Sequence, residues 1–284
     1  MTGYVDCIPC LFRQALDTAR VVTGDPGVHE RILREVARRL EGVNLGDSPA
    51  HLSMIVYDAV RDITGITDAY KKQKAETNRE ALRLVDRFEE RVSSSDDPLR
   101  EAVHLAAAGN VIDFGINSSI DVEKEVVEIM GKPFAVDDTD ELREDLKHAG
   151  SLLYLGDNSG EIVFDRILVE QILAACADVT FAVKSGPILN DVTLADAETA
   201  GLTRLVRVIE TGSADIGVNW GRCSPEFLAA FRGADIIISK GQGNFETVDG
   251  RPGNVYFLLK AKCDCVASEL GVRRGDMVFR HAAR

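Results

Sequence analysis

Residues 151–161 (SLLYLGDNSGE) place a carboxylate and an amide directly after a short apolar run. A run that ends at a glycine and precedes apolar residues at helical spacing is typical of a buried parallel strand leading into a helix. Asp157 and Asn158 would then lie at the strand end where open α/β sheets bind ligands. The amides of Ser159 and Gly160 would open the helix, which favours a phosphate. The pattern indicates a metal ion beside a phosphate; the alternative is that Asp157 only caps the helix.

Three more loops with polar side chains follow apolar segments that predict strands, at 179–184, 205–209 and 235–239. The carboxyl ends of parallel strands share one edge of a sheet, so Asp191 and Asn244 should approach Asp157. Oxygens of Asp and Asn suit a hard cation such as Mg²⁺ or Mn²⁺, which keeps waters and substrate phosphate as further ligands. Lys240 could neutralise a phosphoryl oxygen or be a surface lysine, and Gly241 lets the backbone come close.

The chain divides into two regions with different apolar patterns. Residues 1–148 have apolar stripes at helical spacing, and proline follows aspartate or serine at several predicted helix starts, which predicts an all-helical region. Its acidic residues 137–141 are interpreted as a solvated connection. Residues 149–284 alternate between predicted strands, the last of them at 255–259, and predicted helices, which is typical of a parallel sheet with helices on both faces. We therefore predict an α/β fold, a three-layer α/β/α sandwich with a mainly parallel sheet, joined to a helical region.

Asn110 and Asp113 lie in a stretch where two glycines interrupt an alanine-rich helix. Loops with short polar side chains held by apolar neighbours often carry binding sites. A second wall from the helical region would complete the cavity around a metabolite, so we predict that Asn110 and Asp113 bind substrate and select among substrates. The alternative is a helix end with a glycine cap.

Six cysteines in a chain without an export signal are more typical of thiols than of a disulfide framework. Two close pairs, Cys7 with Cys10 and Cys263 with Cys265, have the ligand number of a second, soft-metal site. The alternative is four reduced, partly buried thiols without a metal.

The composition limits the classes of partner. A net charge of −13 argues against a nucleic-acid surface, which needs a basic face. No apolar run approaches the ~18 residues of a membrane span, and the amino terminus lacks a basic-then-apolar signal, so we expect a cytoplasmic protein without a membrane partner. None of these features sets the number of subunits.

Three motifs, GDNSGE at 156–161, NDVT at 190–193 and SKGQGNFE at 239–246, together resemble those of the metal-dependent damage-control phosphatases. That family was long catalogued as domain of unknown function 89. The resemblance covers nearly the whole chain, and the amino-terminal Cys7-x-x-Cys10 is similar to the stand-alone prokaryotic branch.

The resemblance implies a divalent metal, Mg²⁺, Mn²⁺, Co²⁺ or Ni²⁺, held by residues matching Asp157, Asn158 and Asp191. It also implies a phosphate contact from Lys240 and hydrolysis of small phosphorylated metabolites such as sugar phosphates. Two other functions stay open. One is an S-adenosylmethionine-dependent carboxyl methyltransferase, because a member of the family was once described as an acidic-residue methyltransferase. The other is a non-catalytic module that binds a sugar phosphate or a metal.

Overall fold

The computed structural model describes residues 1–109, 122–176 and 178–282, which contain both strands and helices. The strands of these ranges are β1 (Val136–Asp137), β2 (Ser151–Leu155), β3 (Asp178–Val183), β4 (Arg207–Glu210), β5 (Ile236–Lys240), β6 (Val255–Lys260) and β7 (Met277–His281). The α-helices are α1 (Cys7–Val22), α2 (Pro26–Leu40), α3 (Pro49–Thr64), α4 (Lys71–Ser93), α5 (Pro98–Gly109), α6 (Val122–Met130), α7 (Thr139–Leu146), α8 (Glu161–Leu173), α9 (Leu194–Ala200), α10 (Pro225–Gly233), α11 (Gln242–Val248) and α12 (Asp264–Leu270).

All the strands of the described residues belong to one sheet, in the order β1-β7-β6-β5-β2-β3-β4. Neighbouring strands are parallel except β6 and β7, which run antiparallel. Successive residues of β2 point to opposite faces, so Leu152 and Tyr154 enter one core while Leu153 and Leu155 enter the other. Because helices cover both faces, the predicted three-layer α/β/α sandwich with a mainly parallel sheet is confirmed.

The helices α1, α2 and α3 pack on one another around a small core of their own. The start and end of α3 follow from local sequence. Ser48 Oγ accepts a hydrogen bond from His51 N at 3.3 Å, Pro49 occupies the first turn, and Gly65 ends the helix with a φ of 71°. The start signal predicted at Ser48 and Pro49 is therefore confirmed.

The helices α4 and α5 pack against α8, which follows β2, and thereby join the helical region to the sheet. The closest approach is at Gly109, where a Cβ would lie 2.8 Å from Cβ of Glu161. The domain boundary between residues 148 and 149 stays a prediction, although β1 precedes it and belongs to the sheet. Within the described ranges, we find no helix that combines the length and the apolar character needed to cross a membrane.

The sequence did not reveal the two strands at one end of the sheet, β1 and β7. A two-residue strand has no periodicity, and β7 keeps the strand–helix alternation through α12 but departs from the predicted parallel direction, since it pairs antiparallel with β6. The interpretation of the acidic run as a solvated connection is wrong for Asp137. Its carboxylate accepts a hydrogen bond from Arg100 at 2.5 Å and faces His104 Nε2 at 3.4 Å. These contacts fasten β1 to α5.

Candidate functional site

A backbone bridge joins the loop after β2 to the loop after β3. Asn158 and Asp191 form a short antiparallel pair, and Val192 N donates to Asp157 O at 2.8 Å. The bridge therefore places the three predicted metal ligands side by side at the carboxyl ends of the strands. The predicted convergence of these two loops is present in the structure.

The side chain of Asn158 is held by two carboxylates. Its Nδ2 donates to Asp157 Oδ2 at 2.9 Å and to Glu161 Oε1 at 2.7 Å. Glu161 Oε1 also accepts from Asn158 N at 3.2 Å, at the start of α8. Since both amide hydrogens are used, Asn158 keeps its Oδ1 for a ligand, and an amide oxygen is a suitable ligand for a hard cation.

The backbone of Gly241 lies directly against the carboxylate of Asp157. A Cβ on Gly241 would lie 1.9 Å from Asp157 Oδ2, and the φ of this residue is 80°, in the left-handed region that favours glycine. The predicted close approach of the backbone is therefore present, and the Asp157 carboxylate occupies the space. Any larger residue at this position would displace Asp157.

The electrostatics of the two aspartates fit a cation site. Burial raises the pKa of Asp157, and the charges of Glu161 and Asp191 raise it further. Burial also raises the pKa of Asp191, against the opposing charge of Lys184. Raised pKa values mean that ionising both carboxylates costs free energy unless a further cation joins them.

The types of ligand also fit a cation that takes few protein ligands. Within the described residues, no group of three or more His, Cys, Asp or Glu side chains is arranged to hold a metal ion. The set of Asp157, Asn158 and Asp191 offers two carboxylates and one amide oxygen. Mg²⁺ commonly binds through one or two carboxylates, several waters and a substrate phosphate, so this set suits such an ion.

Lys240 is fully buried beneath the site rather than exposed on its surface. Its Nζ donates to Glu161 Oε2 at 2.8 Å, to Asp165 Oδ1 at 2.6 Å and to Ala106 O at 3.0 Å. Burial alone would lower its pKa, but the charges of Asp165 and Glu161 raise it well above its usual value. All three ammonium hydrogens therefore have acceptors inside the protein. The phosphate contact predicted for Lys240 stays a prediction. It would require Lys240 Nζ to exchange one of these three acceptors for a phosphate oxygen.

The two backbone amides predicted to bind phosphate also have acceptors within the protein. Ser159 N donates to Asn190 O at 2.8 Å, and Gly160 N donates to Asn78 Oδ1 at 2.6 Å. These bonds connect the start of α8 to the loop after β3 and to α4. A phosphate would have to displace them, so in this structure the two amides position the turn.

Asn244, a further predicted substrate ligand, is buried at the start of α11. Its Nδ2 donates to Gly156 O at 3.1 Å and to Lys240 O at 2.8 Å. The side chain thereby ties the carboxyl ends of β2 and β5 together. Its contact with substrate stays a prediction.

A cavity of about 820 Å³ lies above the bridged loops. Its lining includes the carboxylates of Asp157, Glu161 and Asp191 together with Asn158 and Ser159. This volume lies within the range of sites that bind small molecules, ~300–1,000 Å³. The predicted metal ligands therefore face a space large enough for a metabolite.

The helical region supplies one wall of this cavity through Tyr70, Gln73 and Thr77, at the start of α4. Thr77 Oγ1 lies 3.2 Å from the Ser159 hydroxyl, which holds this wall against the site. The prediction that the helical half completes the cavity therefore agrees with the structure in these residues. Asn110 and Asp113 lie outside the described residues.

Five functional candidates were not predicted from the sequence. They are Glu161, Lys184, Lys260, Lys262 and Arg274. Lys184 Nζ lies 3.7 Å from Asp191 Oδ2 and also donates to Gly217 O. Lys262 follows a predicted strand, so the rule that located Asp157 could have found it. Arg274 precedes the unpredicted β7, and only the fold brings it to the site.

The thiols of Cys7, Cys10, Cys263 and Cys265, which were predicted as a possible soft-metal site, are all free and lie near one another, at the starts of α1 and α12. Burial raises the pKa of Cys7, and the charges of Cys10 and Cys263 add to it. Burial likewise raises the pKa of Cys265 to about 11, with further contributions from Cys263 and Cys7. Gln242 Nε2, on the cavity lining, donates to Cys263 Sγ at 3.7 Å. A soft metal at these thiols stays a prediction.

Comparisons with known proteins agree with this geometry. The model of the damage-control phosphatase ARMT1-like domain matches residues 4–278. A protein of Methanocaldococcus jannaschii named as uncharacterized is 39% identical over 286 residues, covering 96% of this chain and 93% of its own length. A damage-control phosphatase of Pyrococcus horikoshii is 37% identical over 277 residues and covers 96% of both chains.

One solved structure with the same fold is the crystal structure of a DUF89 family protein from Pyrococcus horikoshii. It superposes with a TM-score of 0.93, at 36% identity, over 100% of both chains. The chain therefore belongs to the damage-control phosphatase ARMT1-like domain family.

Proposed function

We propose that this protein is a divalent-metal-dependent phosphatase that hydrolyses small phosphorylated metabolites such as sugar phosphates. The observation that carries the proposal is the meeting of Asp157, Asn158 and Asp191 on the wall of one metabolite-sized cavity. Relatives that cover nearly the whole chain are named damage-control phosphatases, which supports a hydrolase acting on phosphorylated compounds.

The charges around the site support a divalent ion. The carboxylates of this region are those of Asp157, Glu161, Asp165, Asp191 and Asp196. The ammonium groups paired with them are those of Lys74, Lys184 and Lys240. Among these described groups, five negative charges oppose three positive ones when all are ionised. A divalent cation would offset part of this excess of negative charge, and the charge of Lys262 on the cavity wall offsets another part.

Asp157, Asp191 and the Oδ1 of Asn158 would hold the cation. When bound, such an ion supplies a Lewis acid that draws charge from phosphoryl oxygens and lowers the pKa of water. Glu161 positions the site, because its bonds to Asn158 hold that amide with its oxygen free. Lys240 balances Glu161 and Asp165 beneath the site, which reduces the repulsion that a phosphate dianion would meet.

The test is phosphate release from a panel of sugar phosphates and p-nitrophenyl phosphate, by chelator-treated protein supplied with Mg²⁺, Mn²⁺, Co²⁺ or Ni²⁺ in turn. We expect turnover that depends on the metal, and a loss of about 100-fold or more in Asp157→Ala. Asp178→Ala is the matched control, since Asp178 is exposed at the opposite end of β3. Wild-type turnover in Asp157→Ala would overturn the proposal.

The same preparation separates the two other functions. Calorimetry with S-adenosylmethionine should detect no binding, whereas a methyltransferase would bind it. Tight binding of sugar phosphates without phosphate release under any of the metals would identify a binding module instead.

A further inference from the structure

Three cationic side chains line the same cavity as the candidate metal ligands. Lys260 ends β6, Lys262 follows it by two residues, and Arg274 lies in the loop before β7. The chain as a whole is strongly acidic, with a net charge of −13. A group of cations on one cavity wall of such a protein needs a local explanation.

These cations differ from the lysines beneath the cavity in their pairing. Lys184 and Lys240 each contact a buried carboxylate. Within the described part of the chain, neither Lys260 nor Lys262 has an ion-pair or hydrogen-bond partner for its ammonium group. Arg274 approaches Asp264 only to 3.8 Å, with side chains that are 64% and 84% exposed, and such pairs contribute little. Their charge is therefore available to a ligand.

The three cations line the same cavity as Asp157, with Lys262 and Arg274 exposed and Lys260 half-buried. Lys260 also lines a side chamber of about 130 Å³, which shares Gly275 with the main cavity and has Lys132 and Asp276 on its wall. Lys260 therefore faces both the main cavity and the small chamber.

The metal ligands and these cations line one cavity of about 820 Å³, which is large enough for a substrate with two anionic groups. A substrate with a second anionic group, separated from the first by a carbon skeleton, would place that group against Lys260 and Arg274. A lysine ammonium and an arginine guanidinium both bind carboxylate and phosphate, the latter through two parallel hydrogen bonds.

We propose that Lys260, Lys262 and Arg274 form a second anion subsite, and that the substrates are doubly anionic metabolites such as phosphorylated sugar acids or sugar bisphosphates. This inference rests on the proposed phosphatase function. It adds to that function the chemical class of the substrate.

The test uses matched pairs of substrates that differ in one anionic group: 6-phosphogluconate with glucose 6-phosphate, 3-phosphoglycerate with glycerol 3-phosphate, and fructose 1,6-bisphosphate with fructose 6-phosphate. The readout is the ratio of kcat/KM within each pair. We expect the doubly anionic member to be favoured by about tenfold or more in at least one pair. In Lys260→Met and Arg274→Met, that ratio should fall about tenfold.

Arg273→Met is the matched control, because Arg273 is 91% exposed, contacts Asp276 at 3.5 Å and does not line the cavity. In Arg273→Met, the ratio of kcat/KM within each substrate pair should equal that of the wild type. A ratio near one in every wild-type pair, or an equal loss on both members in the variants, would overturn the subsite. Metal-dependent hydrolysis of p-nitrophenyl phosphate in the same wild-type protein keeps this outcome distinct from failure of the phosphatase proposal.

Discussion

Two groups of carboxylates in this protein have opposite electrostatics. At the cavity, burial and neighbouring carboxylates raise the pKa of Asp157, and burial raises that of Asp191. At β1, burial also opposes ionisation of Asp137, but hydrogen bonds from His104 and Thr139 and the charge of Arg100 lower its pKa well below the usual range. Burial opposes ionisation in both groups, although Asp137 keeps 21% of its side chain exposed, so the contacts of each carboxylate decide the direction of its pKa shift.

The two groups of carboxylates differ in the side chains that contact them. Asp137 contacts a guanidinium, an imidazole and a hydroxyl, so its charge is satisfied by the fold and contributes to stability. Asp157 contacts an amide that is shared with Glu161, and the neighbouring charges of Glu161 and Asp191 oppose its ionisation. Buried carboxylates that repel one another lower the stability of the fold at that place and favour binding of a cation.

The variant Asp191→Asn tests most directly whether the cavity carboxylates bind a cation, in contrast to Asp137. We expect activity to fall by about 100-fold or more, because a ligand and a charge are lost from the cation site. Without metal, the variant should be no more stable than the wild type, because relief of the repulsion between Asp157 and Asp191 is offset by loss of the carboxylate that pairs with buried Lys184. In the wild type, metal at 100 times its Kd should add about 2.7 kcal/mol to the free energy of unfolding.

Thermal and denaturant unfolding of chelator-treated protein, with and without Mn²⁺, measures both effects. Asp178→Asn serves as the control, since its side chain is exposed at the far end of the sheet. Equal stabilisation of Asp191→Asn and wild type by the metal would show that the cation binds elsewhere.

The second prediction concerns the balanced part of the cavity floor, at Lys240. In Lys240→Met, two buried carboxylates lose the cation they share, and breaking a buried ion pair in this way costs about 3–5 kcal/mol of unfolding free energy. Lys262→Met should cost far less, because Lys262 is exposed and has no ion-pair partner in the described residues. Urea denaturation compares the two variants. A Lys240→Met protein of normal stability that binds inorganic phosphate weakly would instead support the direct phosphate contact.

The third and smallest effect is the pH dependence of the contact at β1. Burial would lower the pKa of His104, but its hydrogen bonds to Asp137 and Met130 O raise it. The contribution of His104 is therefore complete below its unfolded pKa of ~6.5 and is lost as pH rises through the folded value. That of Asp137 is present above its unfolded pKa of ~3.9 and is lost as pH falls towards the folded value.

The stability advantage of wild type over Asp137→Asn should accordingly be greatest between about pH 4 and 6.5 and should shrink by up to about 1 kcal/mol by pH 8.5. Urea denaturation at pH 5.5 and 8.5 measures this. Asp140→Asn is the control, since Asp140 is 72% exposed and contacts Arg100 and Arg143 but not His104. An advantage that does not change with pH would mean that His104 keeps its charge, or lacks it, throughout this range.

The elements around the site were predictable because their sequence patterns are local. The run that ends at Gly156 becomes β2, and the following apolar residues become α8, with the predicted turn between them. Strands β3 to β6 follow the same logic. At the end of the sheet formed by β1 and β7, local patterns did not predict the strands. Strand β1 is too short to show a periodicity, and β7 runs antiparallel to β6.

The position of Lys240 shows that the type of a residue and its place after a strand do not determine which groups it contacts. A lysine after a buried strand is as compatible with a phosphate contact as with an internal ion pair. On β5, Lys240 has the same parity as Ile236 and Ile238, so it points to the face covered by α8. Glu161 and Asp165 lie four residues apart on that helix and meet it there. The sequence shows the four-residue spacing of Glu161 and Asp165. It does not show that this face of α8 packs against the side of β5 that carries Lys240.

By itself, the sequence determined the α/β class and the edge of the sheet on which Asp157, Asn158 and Asp191 meet. These follow from hydrophobic periodicity and from the rule that parallel strands end on one edge, which need no knowledge of distant contacts. The tertiary structure decided which charges are paired. Lys240 is enclosed by carboxylates, whereas Lys262 and Arg274 stay on the cavity wall. Pairing depends on distances of a few ångströms between side chains far apart in the chain, and only the packed fold sets those distances.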